Sequence, residues 1–461
     1  MPNTLQQPLY PQNLLVDLYE LTMAAGYFEN HYNPISTFEV FVREMPPHRS
    51  FLVAAGLQQV LEYVLNLTFT EDEVAYLRSL PVFKHVSDEF FDYLLNFRFD
   101  GDAWAMPEGQ IFFPGEPIFR VTAPILEAQI METFLLSMFN FQSMVASKAA
   151  RVVHAAISDG KQRTVMEFGS RRAHGPEASI LAARAAYIAG CIGTSNVLAG
   201  KRFGIPVFGT AAHSWTMAFP SEEEAFRAYH RVFPESTILL IDTYDVLEGA
   251  RRATRISPNI KGVRIDSGDL LKYSKEVRKI LDEAGLTHAI IVASGDLNEF
   301  KIERLVKAGA PIDSFGVGTQ MATSADAPFL GIIYKLVEQE IDGVVRYRAK
   351  FSQNKATYPG KKQVYRIIDD EGMFVKDVIG LEDDVIPEDH YKLLTRVIHN
   401  GKLEYQPPPL DEVRDFFYQN LARLPQQFKQ LEAAEQYPVR RSQKLQDLFA
   451  RLKEEELSSA K

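Results

Sequence analysis

Six short apolar runs in the middle of this chain each stop at a cluster of Gly, Ser, Thr, Asp, Arg or His, and that rhythm limits the folds open to it. The runs are TVMEFG, IPVFGT, TILLID, GVRIDSGD, AIIVASGD and SFGVGT, ending at Gly169, Thr210, Asp242, Asp269, Asp296 and Thr319. Apolar runs of this length between turn residues read as buried parallel strands. Successive ends lie 41, 32, 27, 27 and 23 residues apart, room for one strand and one return helix per unit. Polar residues at the C-terminal ends of successive parallel strands converge on one mouth, so distant segments can share a site.

Composition narrows the class. A chain of 461 residues with 46% apolar content can hold two or three domains and a large core. Its net charge of −10, with no Lys/Arg stripe, argues against general nucleic-acid binding, so anionic ligands need a local basic pocket. Cys191 is the only cysteine, which excludes an intramolecular disulfide and fits a reducing compartment. The leading MPNTLQQPLYPQN has no basic start or apolar stretch, and no run reaches the length of a membrane span. A cytoplasmic protein with no membrane partner is expected.

Residues 1–124 mix helix and strand signals and read as an α+β domain, with LLVDLYELTMAAGYF helical and STFEVFVRE strand-like. Residues 125–345 form the α/β domain, entered through a long apolar helical stretch from Ile125 to Ala156 and closed by GIIYKLVE as a seventh strand. Residues 346–406 are strand- and turn-like and are expected to return to the first domain. Beyond Pro407–Pro409, residues 407–461 make a helical tail in which Leu445, Leu448, Phe449 and Leu452 fall at helical spacing.

Walker, HExxH and CxxC patterns are absent. FGVGTQM has Gly316 and Gly318 but no third glycine; with Thr319 it leaves backbone N–H groups and a hydroxyl near a helix start, which suits a phosphate, although a plain turn would use the same glycines. Ser294 and Gly295 read the same way. His213, in GTAAHSW, can act as acid, base or nucleophile, including as a phosphoryl acceptor, and Asp242 on the next strand end could hold one ring nitrogen. Each has a structural alternative, a core histidine and a helix cap. An arginine inside the buried run GVRIDSGD is costly unless paired, so Arg264 either bridges to Asp266 or faces an anionic ligand.

Seven ordered motifs, DLYELTM, EFGSRRAHGP, GTSNVLAG, GTAAHSW, IDTYD, VRIDSGDL and FGVGT, resemble those of the nicotinate phosphoribosyltransferases, over roughly Tyr10 to Gln406. The resemblance implies an irregular TIM-like α/β barrel of the type II phosphoribosyltransferases, with an additional α+β domain. It implies the joining of nicotinate to phosphoribosyl pyrophosphate with ATP hydrolysis, in NAD biosynthesis, by a homodimer with shared active sites. Carried over by position, His213 is the histidine that ATP phosphorylates and Asp242 its supporting acid. Tyr19 and Phe168 are the aromatic pair around the pyridine ring, Tyr19 serving the partner's site. Thr210 and Arg264 contact nicotinate, Arg171 is a neighbouring basic contact, and Gly318 with Thr319 cradles the 5-phosphate. Arg43 resembles the arginine that meets pyrophosphate. Mg²⁺ near Asp266 or Asp269 is the expected leaving-group partner.

The nicotinamide-using relative carries an aspartate where this chain has Ser195; a carboxylate there would accept from an amide and repel an anionic acid, so serine favours nicotinate. The alternatives are nicotinamide phosphoribosyltransferase, an aldolase-like barrel using a lysine Schiff base, and a non-catalytic ligand-binding barrel. None of the six clusters holds a lysine, which counts against the second.

Overall fold

The computed structural model describes residues 13–352 and 355–459; most of the leading stretch MPNTLQQPLYPQN, with Tyr10, and Gln353 and Asn354 fall outside them. The chain forms two compact units. One holds the chain up to Met144, Phe329–Gln430 and everything from Ala434 onward; the other holds Val145–Pro328 and Leu431–Ala433.

The Val145–Pro328 unit contains a six-stranded sheet in the order Gly193–Thr194, Thr164–Glu167, Ser314–Val317, Ile290–Ala293, Gly262–Ile265 and Ile238–Leu240. Every pairing is parallel. The last of these strands in sequence, Ser314–Val317, pairs with Thr164–Glu167, and Gly193–Thr194 and Ile238–Leu240 form the two edges of the sheet. Val165, Leu239, Val263, Ile291 and Phe315 are buried as the fully covered faces of a parallel sheet require.

Helices return the chain between strands, and the residues that stop the strands also start the helices. Asn196, Asp245, Asp269 and Asn298 each accept a hydrogen bond from the backbone N–H three residues on, at the heads of Val197–Phe203, Val246–Thr254, Leu270–Glu283 and Glu299–Lys307. Such caps contribute about 1 kcal/mol each.

Two expectations are corrected. IPVFGT is not a strand: only Val207 bridges, to Thr194, and Pro206–Gly209 is exposed. Pro206 has no N–H to give a ladder, so the pairing stops at one bridge on the outer side of the short strand Gly193–Thr194, where the Thr194 N–H donates to the Pro206 carbonyl and the Phe208 N–H to the Thr194 carbonyl. GIIYKLVE does not extend the parallel series: Ile332–Ile341 pairs antiparallel with Ile35–Val42 in the other unit. The helix Thr319–Ala322 has four residues, too few for a parallel crossover.

The other unit is built on a seven-stranded sheet in the order Val344–Tyr347, Ile332–Ile341, Ile35–Val42, Pro117–Pro124, Asp102–Ala105, Thr395–His399 and Lys402–Leu403. A four-stranded sheet of His390–Lys392, Lys362–Ile368, Phe374–Leu381 and Val439–Arg441 carries the terminal helix Gln443–Ser459. Leu445 and Leu448 of that helix pack on Ile379 and Leu381, and Phe449 stacks on Tyr358. Among the described residues no helix is long and apolar enough to cross a membrane.

Gly249 tests how tightly a return helix lies on its strand. A Cβ there would sit 2.2 Å from the carbonyl oxygen of Ile241. Helix propensity alone would make Gly249→Ala stabilising by about 1 kcal/mol. The contact reverses the sign, and destabilisation of about 1–3 kcal/mol is expected as a lower urea midpoint at unchanged slope.

Candidate active site

Hydrogen bonds running from one strand end to the next assemble the mouth of the parallel sheet. The Asp242 side chain is fully buried. Its Oδ2 accepts from the backbone N–H of Asp266 at 3.1 Å and from the Ser267 hydroxyl at 2.6 Å. Oδ1 has no hydrogen-bond partner and lies 3.9 Å from Nε2 of His213. The imidazole is 39% exposed and its Nδ1 lies 3.1 Å from the Thr243 hydroxyl. The ring therefore stands over a buried acid with one edge open.

Arg264 reaches the same mouth from inside its strand. Its guanidinium donates to Thr210 Oγ1 and lies 3.6 Å from Asp266 Oδ1, which also accepts from Ser294 Oγ at 2.5 Å. Burial pulls the Arg264 pKa down, Asp266 and Asp242 push it back up, and Arg171 lowers it again. The last effect puts two cations within electrostatic reach, an arrangement that favours an anion. Nε of Arg264 is buried without a partner.

Glycines bring backbone close to this rim. A Cβ on Gly295 would fall 1.9 Å from the Asp266 carbonyl oxygen, and its φ is +85°. The Phe168 ring lies over Gly316, where a Cβ would come within 2.5 Å of it, and a Cβ on Gly318 would sit 2.9 Å from the Phe168 carbonyl oxygen. Thr319 opens the short helix after Gly318. A cavity of about 590 Å³ opens beside Asp266, Asp269, Gly295 and Asp296.

Phe168, Arg171, Ser195, Asp242, Arg264, Asp266, Asp269, Ser294, Gly295, Gly316, Gly318 and Thr319 lie in or just past strands of one unit, and Thr210 and His213 follow the single bridge at Val207 in the same unit. Tyr19 and Arg43 belong to the other. Tyr19 is 45% exposed on the helix Leu18–Glu29, hydrogen-bonded to Glu132. Arg43, just past the strand Ile35–Val42, lines a second cavity of about 530 Å³ with Arg49 and Arg441. Sequence reasoning did not single out Glu167, Thr243, Ser267 or Asp296. For Asp296 a signal was present, since it repeats the turn of Asp269; for Glu167 its position at the end of an apolar run does not by itself distinguish a functional carboxylate from a helix or turn cap.

A rim that offers guanidinium groups and close backbone to anions, with an imidazole beside them, defines an α/β enzyme that handles phosphorylated substrates. Family models described as the nicotinate phosphoribosyltransferase N-terminal domain, family and C-terminal domain match residues 14–140, 164–376 and 385–449. The chain is 44% identical to a nicotinate phosphoribosyltransferase of Mycobacterium tuberculosis, across 97% of this chain and 95% of that one. It is 37% identical to the Bacillus subtilis nicotinate phosphoribosyltransferase, across 96% and 97%. The crystal structure of human nicotinic acid phosphoribosyltransferase superposes with a TM-score of 0.82 at 29% identity, covering 95% of this chain and all of that one. The chain belongs to the nicotinate phosphoribosyltransferase family.

Ser267 tests the rim. Ser267→Ala removes one of two donors from a fully buried carboxylate oxygen. A loss of about 1–3 kcal/mol is expected in urea unfolding at neutral pH.

Proposed function

We propose that this mouth joins nicotinate to phosphoribosyl pyrophosphate, giving nicotinate mononucleotide and pyrophosphate in NAD biosynthesis, with ATP hydrolysis coupled through His213. The observation that carries the reading is the pairing of two guanidinium groups, Arg264 and Arg171, on the rim that also holds His213 over Asp242. An aromatic carboxylate suits the arginines, with Thr210 and Ser195 beside them. Phe168 supplies one face for the pyridine ring.

The pyridine nitrogen already has a free lone pair, so attack on the anomeric carbon needs no general base. The reaction needs a planar nucleophile held in place, a neutralised leaving group and exclusion of water. Ser294, Gly295, Gly316, Gly318 and Thr319 are assigned to the ribose and its 5-phosphate, and Arg43 to pyrophosphate.

Asp266 and Asp269 are assigned to Mg²⁺. Both line the larger cavity. Oδ1 of Asp266 is taken by Ser294 and Oδ1 of Asp269 by its helix cap, which leaves each a second oxygen. No group of three or more His, Cys, Asp or Glu among the described residues could hold a metal. The donor set therefore fits an ion brought in on substrate phosphates, as is usual for Mg²⁺. Such an ion supplies charge neutralisation to the departing pyrophosphate.

A homodimer with shared sites accounts for the second aromatic. Leu15, Leu18, Tyr19 and Met23 are exposed together at the helix Leu18–Glu29, and Val197 (72% exposed) and Leu198 are exposed at the head of another helix. Apolar faces of this kind mark association surfaces. The partner subunit's Tyr19 would complete the pyridine clamp. The single cysteine and the substrates fit the cytoplasm.

Bond formation does not require ATP, so phosphorylation of His213 acts by changing affinity for phosphoribosyl pyrophosphate, each ~1.4 kcal/mol of coupling being tenfold. Incubation with γ-labelled ATP should place an acid-labile label on His213. His213→Ala should abolish nicotinate-stimulated ATP hydrolysis and leave slow, ATP-independent product formation; unchanged coupling would make the histidine structural. Ser195→Asp should raise the KM for nicotinate about tenfold or more, since a carboxylate would then face the substrate's own. Equal kinetics in parent and variant would remove Ser195 from the selectivity argument.

A further inference from the structure

The carboxylate of Glu167 is buried at the end of the strand Thr164–Glu167, one residue before Phe168. Burial raises its pKa, against the pull of its hydrogen bonds to Thr194 and Gly169. Buried carboxylates usually have a cation beside them, yet no ion pair to Glu167 exists among the described residues, although Arg171 and Arg172 follow four and five residues later. Instead, Oε1 accepts from the backbone N–H of Gly169, and Oε2 accepts from the Thr194 hydroxyl at 2.6 Å.

Thr194 passes the connection on. Its Oγ1 accepts from the backbone N–H of Asn196 at 3.0 Å. The Asn196 side-chain amide donates to Ser170 Oγ and Ser179 Oγ, both at 3.1 Å, while its carbonyl oxygen caps the next helix at Ala199. Ser170 opens the single turn Ser170–Arg172. The Ser195 N–H donates to the Glu167 carbonyl oxygen at 3.0 Å. The turn bearing Arg171 and the loop bearing Ser195 are therefore joined through one residue, Glu167, whose main-chain carbonyl holds Ser195 and whose carboxylate reaches the turn and Asn196 through Gly169 and Thr194.

We infer that Glu167, acting through Thr194 and Asn196, is a positioning residue that fixes Arg171 and Ser195 relative to each other and so sets the preference for a pyridine carboxylate over its carboxamide. Because its oxygens are occupied by a backbone N–H and a hydroxyl, Glu167 does not compete for Arg171, which makes no hydrogen bond or ion pair among the described residues and is exposed to meet an anion. The inference rests on the functional reading above, in which Arg171 and Ser195 face nicotinate.

Thr194→Val and Thr194→Ser separate positioning from packing. Valine has the shape of threonine but neither donates to Glu167 nor accepts from Asn196; serine does both. The full-length variants are assayed for kcat and KM with nicotinate, nicotinamide and phosphoribosyl pyrophosphate, alongside thermal midpoints. Thr194→Val should raise the KM for nicotinate about tenfold, leave kcat and the KM for phosphoribosyl pyrophosphate within about twofold, and lower the ratio of nicotinate to nicotinamide kcat/KM about tenfold. Thr194→Ser should keep the parent ratio.

Should Thr194→Val not fold, Glu167→Gln decides. It keeps the size but turns one acceptor into a donor, and the same fall in the ratio is expected. A folded Thr194→Val, or in its place Glu167→Gln, with the parent ratio overturns the inference, as does a fall in all three parameters together. A parent enzyme that does not consume nicotinate defeats the functional reading instead, so the two failures are told apart in one experiment.

Discussion

The buried carboxylate of Asp242 does more than accompany His213. By accepting from the backbone and side chain of the next strand end, at Asp266 and Ser267, it ties the loop after Ile238–Leu240 to the loop after Gly262–Ile265. Asp266 repeats the step to Ser294, beyond Ile290–Ala293. Towards the opposite edge of the sheet, Glu167 ties its own turn to Thr194. Parallel strands share a ladder along their length, but beyond their ends nothing in the sheet fixes the loops. Here side-chain carboxylates carry the connection on from the ladder, and the loop groups inherit the sheet's rigidity.

Magnitudes show how closely the charges around Arg264 are balanced. Arg264 and Asp266 are 3.6 Å apart. At an effective dielectric of ~20 their attraction is about 4–5 kcal/mol, comparable with the several kcal/mol per ion lost on leaving water. The pair is near balance, and Arg171 adds repulsion. A bound carboxylate or phosphate would relieve that repulsion and could take the unpartnered Nε of Arg264. Two carboxylates and one other guanidinium thus act on Arg264, and the Thr210 hydroxyl accepts from it without adding charge.

Most of the parallel sheet was legible because its strands are buried on both faces, so their apolar runs and terminal turn residues stand out without an alignment. Five of the six runs are strands of that sheet. The sixth failed because IPVFGT shows how apolar the residues are but not whether a backbone N–H is available, and Pro206 decided against it. Ile332–Ile341 could not be told from a parallel strand by periodicity; only the shortness of the helix before it betrays the change. Candidate site residues were legible as strand-end chemistry. Glu167 was not, because a buried carboxylate without a cation is recognised only once its hydroxyl and amide partners are in view.

The repeated Ser-Gly-Asp turn shows how one local sequence does two jobs. In the first copy Gly268 has φ +78° and Asp269 leaves the turn to cap Leu270–Glu283. In the second Gly295 has φ +85°, but Asp296 itself is left-handed at φ +40°, and the helix waits for Asn298 to cap it. A non-glycine residue pays about 1–2 kcal/mol for that backbone. Asp296 recovers nothing as a cap, and its carboxylate has no partner among the described residues. It borders the same cavity as Asp266. The strained backbone at Asp296 is held by the fixed ends on either side of it, the strand Ile290–Ala293 and the helix Glu299–Lys307. The two-residue delay before Asn298 separates an aspartate that caps its helix from one that does not.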